Sequence, residues 1–201
     1  MKRLSFCVIV ILAVYSCSKH AEKLPILGER EFVNGDTIYH TIRPFSFINQ
    51  DSQVVTNANF KDKIYVVDFF FTHCPTICPK VTKQMLRIYD KYKDDGRVMQ
   101  LAFSIDTRND TVGRLKEYEK GLGVSSKKWH FVTGQLDSIY SIAADYYSIA
   151  KQDPDSPGGF NHSGRLILVD KKQRVRSFCD GTDANDVDRF MTDIDVLLDE
   201  K

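Results

Sequence analysis

The chain has 201 residues, with 28 Lys and Arg against 27 Asp and Glu for a net charge of +1, and 42% apolar residues. That length supports one domain with a sizeable core. The balanced charge, with no basic stripe set among aromatics, gives nucleic-acid binding no support.

At the N-terminus, Lys2 and Arg3 precede a short apolar run, Leu4 to Tyr15. The run is too short for the roughly 20 residues of a spanning helix, and it reads as an export signal. It ends in Val14-Tyr15-Ser16-Cys17, a small residue directly before a cysteine, which resembles a bacterial lipoprotein box apart from the bulky Tyr15. The expectation is a signal peptide over 1–16, lipidation of Cys17, a tether over 17–40 and a folded domain over 41–201. The other reading is an ordinary secretory peptide, with Cys17 incidental. Either way the domain leaves the cytoplasm, and a lipidated form is a membrane-anchored lipoprotein facing the periplasmic side of the cell envelope. With Cys7 removed and Cys17 spent on lipid, Cys74, Cys78 and Cys179 remain. An oxidising compartment permits a disulfide, and close spacing makes Cys74 and Cys78 the natural couple.

From Pro44 to Val55 the pattern predicts a hairpin turning at Asn49 to Ser52. Ile64 to Phe71 is a continuous β-prone run, as in a central strand buried on both faces. Behind Cys78, Pro79 can open a helix whose apolar positions Val81, Met85, Ile88 and Tyr92 recur at helical spacing. Asp94-Asp95-Gly96 ends it. Val98 to Ile105 reads as a second core strand, Thr111 to Gly121 as helix, Trp129 to Val132 as strand and Asp137 to Ile149 as helix. Lys151 to Gly159, with two prolines and two glycines, is a loop. Arg165 to Val169 and Val175 to Phe178 form a second hairpin, and Val187 to Leu198 closes the chain as an amphipathic helix. This order implies an α/β fold, a central mixed sheet flanked by helices with an N-terminal hairpin extension, in the thioredoxin-like arrangement.

Cys74-Pro75-Thr76-Ile77-Cys78 therefore sits between a core strand and a helix N-terminus, where unpaired N–H groups favour a thiolate. If the helix includes Cys74, both sulfurs lie on one helical face; if it begins at Pro79, Cys78 is its cap. Both geometries let the sulfurs converge, on each other as a disulfide or on one metal ion. Two thiolates suit Cu(I), and an added imidazole gives a three-coordinate site that can also hold Cu(II). Zinc would want a fourth ligand, and no candidate is obvious. Among the histidines, His162 stands where a Gly/Pro-rich loop meets a strand. His20 lies in the tether, His40 precedes the hairpin, His130 starts a strand, and His73 should point away from its neighbour Cys74.

Phe69-Phe-Phe-Thr-His-Cys-Pro-Thr-Ile-Cys-Pro79 resembles the signature of the Sco/SenC proteins, thioredoxin-fold copper chaperones. Ser104-Ile-Asp-Thr-Arg-Asn-Asp110-Thr111 is similar to that family's second block. Asn161-His-Ser163 with Leu168-Val-Asp170 is similar to its third. The likeness spans roughly Phe45 to Leu198. It implies one copper ion held by Cys74, Cys78 and His162. The partner it implies is the copper-bearing subunit of cytochrome c oxidase or another cuproprotein, served by copper delivery or by thiol reduction, with a thioredoxin-like reductant keeping the pair reduced. Asp106 matches an aspartate of the second block, as an outer-shell carboxylate or a turn cap. Thr107 stands where a proline is usual, and Asn161 replaces an aspartate. Cys179 falls outside the family's site and is either a buried core thiol or an extra redox partner. The competing activity is a metal-independent thiol-disulfide oxidoreductase with Cys74 attacking and Cys78 resolving. A peroxidase of the same broad fold is disfavoured by the paired, proline-flanked cysteines.

Overall fold

The computed structural model describes residues 23–200, so the expected signal peptide, Cys7, Cys17 and His20 lie outside the described residues. Arg30–Val33 (β1) and Asp36–Tyr39 (β2) pair antiparallel around Asn34 and Gly35, whose φ angles are 52° and 88°. A two-residue primed turn needs positive φ at both positions, and Asn-Gly supplies it at least cost. An N-terminal hairpin thus extends the domain, and it lies inside the stretch 17–40 read as tether, ahead of the hairpin signal at Pro44 to Val55.

Ser46–Asn49 (β3) and Val54–Thr56 (β4) form the hairpin of that signal. Instead of standing apart, it builds one edge of a seven-stranded sheet. The centre is Ile64–Phe70 (β5), Val98–Ser104 (β6) and Trp129–Thr133 (β7), parallel to one another and buried at every residue. Arg165–Val169 (β10), antiparallel to β5, and Val175–Asp180 (β11), antiparallel to β10, complete the other edge, for a strand order of β11-β10-β5-β6-β7-β3-β4. The apolar runs thus become strands covered on both faces, as continuous burial requires.

Cys78–Tyr92 (α1), Val112–Leu122 (α2) and Ala184–Asp199 (α4) share one face of the sheet. The Tyr118 hydroxyl of α2 meets Thr82 of α1 at 2.9 Å, and Tyr92 of α1 donates to Asp195 of α4. The opposite face packs Phe69 and Phe103 against Tyr146, which follows Leu136–Asp145 (α3). The helix expected to reach Ile149 ends at Asp145. Tyr147 then takes φ 53°, a left-handed turn that an α-helix does not continue. Beyond it, Ala150–Gln152 (β8) pairs with Phe160–His162 (β9), so the expected loop 151–159 is the tip of a short hairpin. That pairing carries His162 back toward α1.

Candidate metal centre

The strand β5 ends at Phe70, and Cys74 follows in a turn whose N–H donates to the Phe71 carbonyl. Helix α1 begins at Cys78 with Ile77 as cap, so Cys74 lies outside the helix and Cys78 is its first residue. Of the two geometries open in the sequence this is near the second, one residue earlier than a start at Pro79. The Cys78 N–H points at the Cys74 sulfur, 3.5 Å away, one of the unpaired donors at a helix N-terminus put to use.

His162, at the end of β9, brings Nε2 to 3.5 Å from the Cys78 sulfur and 3.9 Å from the Cys74 sulfur. The ligating atoms of Cys74, Cys78 and His162 all lie within 4.8 Å of one another. Such separations suit one ion with bonds of about 2.0–2.3 Å. The imidazole is steadied edge-on by Phe71, centroid to centroid 5.7 Å. Its Nδ1 is buried without a hydrogen bond of good geometry. Burial lowers the His162 pKa, opposed in part by the Phe69 backbone, so the ring is neutral at pH 7 and Nε2 can offer its lone pair. Two thiols and one neutral imidazole fit a soft, low-coordinate ion.

The thiols differ sharply. Burial raises Cys74, but hydrogen bonds from the Thr76 and Cys78 backbone, with those of the two side chains, outweigh it and hold this thiol below its ordinary pKa. Cys78 is pushed far up, chiefly by burial, with the neighbouring Cys74 and the Asp68 carboxyl adding to the rise. Both are free thiols and line a cleft of about 310 Å³ with Phe71, Thr82 and Tyr118, which gives a partner access to the sulfurs. Since the thiolate is the reactive species, iodoacetamide at pH 7.5 should label Cys74 at least about tenfold faster than Cys78 or Cys179, read by peptide mass spectrometry. Labelling led by Cys78 would contradict this electrostatic picture.

The SCO1/SenC family model matches residues 35–198. The chain belongs to the SCO1/SenC family. A SCO1/SenC lipoprotein from Bacillus anthracis superposes with a TM-score of 0.72 at 25% identity, covering 79% of this chain and 95% of that one. BsSco, described with a disulfide switch and as a member of the Sco family of cytochrome c oxidase assembly proteins, gives 0.70 at 28% identity over 81% and 95% of the two chains. Arabidopsis thaliana ScoI with copper bound gives 0.62 at 31% identity over 77% and 94%.

Other residues of this SCO1/SenC chain take different places. Asp106 accepts at both oxygens from Asn109, 3.3 Å from its N–H and 2.8 Å from its side-chain amide, as a turn cap does. The carboxylate of the second block that reaches the cysteine loop is Asp110. It is fully buried and accepts from the Thr72 N–H (3.0 Å), the Thr72 hydroxyl (2.6 Å) and the Ser104 hydroxyl (2.6 Å). Asp110 thereby ties the turn before Cys74 to the end of β6. Asp110→Ala should cost about 2–4 kcal/mol in chemical denaturation, because it orphans donors in a dry site. A change below about 0.5 kcal/mol would contradict this role.

His73 is exposed and its Nδ1 lies beside the Thr72 hydroxyl. His40 Nε2 meets the Asp145 carbonyl, and buried His130 meets Asn49. Asn161 is exposed and donates to Asp153, facing outward from the sulfurs. Cys179 is buried in β11 opposite Leu166, and burial raises its pKa. One buried group escapes the sequence reading altogether. Asp68, in the middle of β5, has Oδ1 without a partner and a pKa raised to about 7 by burial.

Proposed function

We propose that this chain is an exported, membrane-tethered metallochaperone that carries copper to the dinuclear copper centre of cytochrome c oxidase or to another cuproprotein. The observation that carries the reading is the convergence of two free thiols and one imidazole on a single point. The copper-bound Arabidopsis relative and the oxidase-assembly description of BsSco support copper as the cargo and an oxidase as its destination, and the Bacillus anthracis lipoprotein supports lipidation of Cys17. Among the described residues, no helix is long and apolar enough to cross a membrane. Copper is the cargo, held by Cys74, Cys78 and His162. Three ligands leave the ion open to attack by an acceptor's thiolate or imidazole, so each protein ligand can be exchanged in turn.

The test is a competition for Cu(I) between the reduced protein and a chromophoric chelator. One equivalent should be taken up, with loss of a thiolate-to-copper signature after alkylation of Cys74. No uptake by reduced protein sinks the reading.

The unequal thiols favour a second activity at the same residues. The Cys74 thiolate would attack a partner protein's disulfide, forming a mixed disulfide and releasing one partner thiolate. Cys78, after losing its proton to solvent, would attack the Cys74 sulfur and release the second partner thiol. Two electrons then pass to the partner, leaving a Cys74–Cys78 disulfide for a thioredoxin-like reductant to reopen.

A further inference from the structure

The pole of the domain opposite the metal centre is built differently from the rest of the surface. Cys74 follows the C-terminal end of β5, whereas the turn Asp170 to Arg174 lies beside the start of that strand, since Val169 pairs with Tyr65. Roughly 20 Å of strand separates the two ends. The first described residues are fastened at this far pole. Buried Arg176 donates to the carbonyls of Leu24 and Pro25 and pairs with Glu200, Glu200 accepts from the Leu24 N–H at 2.9 Å, and the Leu27 N–H donates to the Val175 carbonyl at 2.9 Å.

Leu24 lies seven positions after Cys17, and a fully extended chain spans at most about 25 Å over that stretch. A lipid on Cys17 therefore holds this pole within that distance of the bilayer. Lys23, Lys171 and Lys172 beside the clamp, and Lys61 and Lys127 elsewhere on the same pole, are exposed, and none has a carboxylate partner among the described residues. The one acidic group of the same turn, Asp170, is already neutralised by Arg174 and Arg176. Exposed Asp62, Asp94 and Asp199 share the pole, but the five lysines outnumber them. Unpaired lysines held near a bilayer are attracted by anionic headgroups within a Debye length.

We propose that this lysine-bearing pole is a membrane-facing surface for anionic lipid headgroups, which turns the Cys74–Cys78–His162 centre away from the bilayer. The proposal rests on the lipoprotein reading of Cys17. Its consequence is that the cargo is handed over at least the length of β5 above the headgroups, to an acceptor domain that itself stands clear of the membrane.

The test uses the full-length acylated protein on phosphatidylcholine vesicles with and without phosphatidylglycerol, reading lysine acetylation rates by mass spectrometry. Lys171 and Lys172 should react at least about threefold more slowly on the anionic vesicles, and high salt should abolish the difference. Lys151, exposed in β8 near His162, should be unaffected. Equal rates at Lys171 and Lys151, or protection of Lys151 alone, overturn the proposal while leaving the anchor intact. The same spectra report the N-terminal peptide; an unacylated Cys17 there overturns the lipoprotein reading and the proposal with it. In a Lys171→Glu/Lys172→Glu variant, Lys61 should lose any slowing on the anionic vesicles while the acyl mass is kept, and unchanged slowing at Lys61 would count against these two lysines.

Discussion

His162→Ala should lower Cu(I) affinity by more than about 100-fold while leaving the Cys74–Cys78 pair able to form and break a disulfide. The reason is geometric. Nε2 stands within 3.5–3.9 Å of both sulfurs, so its loss leaves two ligands where three converge. Changes to groups that merely orient ligands already cost about 10–100-fold, and a ligand itself should cost more. The imidazole reaches the thiol loop only through those two sulfur contacts, whereas the bonds that shape the loop, Cys74 N–H to the Phe71 carbonyl and Cys78 N–H to the Cys74 sulfur, do not involve it. The low Cys74 pKa comes from the Thr76 and Cys78 backbone and should persist. Two measurements separate the readings, a Cu(I) competition titration and the rate at which the reduced protein opens a model disulfide. Normal copper affinity with lost reductase activity would reverse the ranking in favour of the oxidoreductase.

Most of this site is legible in the sequence because its parts are local. The run Ile64 to Phe71 can only be a buried strand, Pro79 fits only the first turn of a helix, and the cysteines between them inherit their position. His162 is different. Its approach depends on the β8–β9 pairing of Ala150 with His162, which a Gly/Pro-rich composition conceals. Two glycines at that end are sterically required. A Cβ on Gly181 would meet the Gly164 carbonyl oxygen at 2.7 Å, and one on Gly158 would meet the Phe71 ring at 2.8 Å. The β1–β2 hairpin carries its Asn34-Gly35 signal openly. Its strands, however, bury no residue fully, so no alternation of burial lifts them out of a polar tether. Asp110 and Asp106 sit in the same turn and differ only in what folds over them. Which carboxylate reaches Thr72 is tertiary information.

Asp68 is the group whose replacement should change stability most with pH. An aspartate inside an apolar strand is easily passed over, yet it is nearly inaccessible in β5 and keeps one oxygen unpaired. Burial raises its pKa from 3.8 to about 7, with only its own backbone N–H opposing. The folded protein therefore holds a proton that the unfolded chain releases at lower pH. Stability from the neutral carboxyl is fully present below pH 3.8 and is lost progressively as pH rises through about 7. Each tenfold difference in proton affinity between the folded and unfolded chain is worth about 1.4 kcal/mol, so the total loss is on the order of 4 kcal/mol. Asp68→Asn keeps the shape and removes the ionisation. Urea midpoints at pH 4, 6 and 8 should show the variant more stable than wild type by about 2–4 kcal/mol at pH 8, and converging with it or falling below it at pH 4. Parallel curves across that range would contradict a buried, unpaired carboxyl. The same variant should let Cys78 ionise more readily, because the Asp68 charge contributes to that thiol's raised pKa. The carboxyl thus weakens the fold at neutral and alkaline pH and adds, behind burial, to what keeps Cys78 protonated until it gives its proton to solvent on binding a metal ion or attacking the Cys74 sulfur.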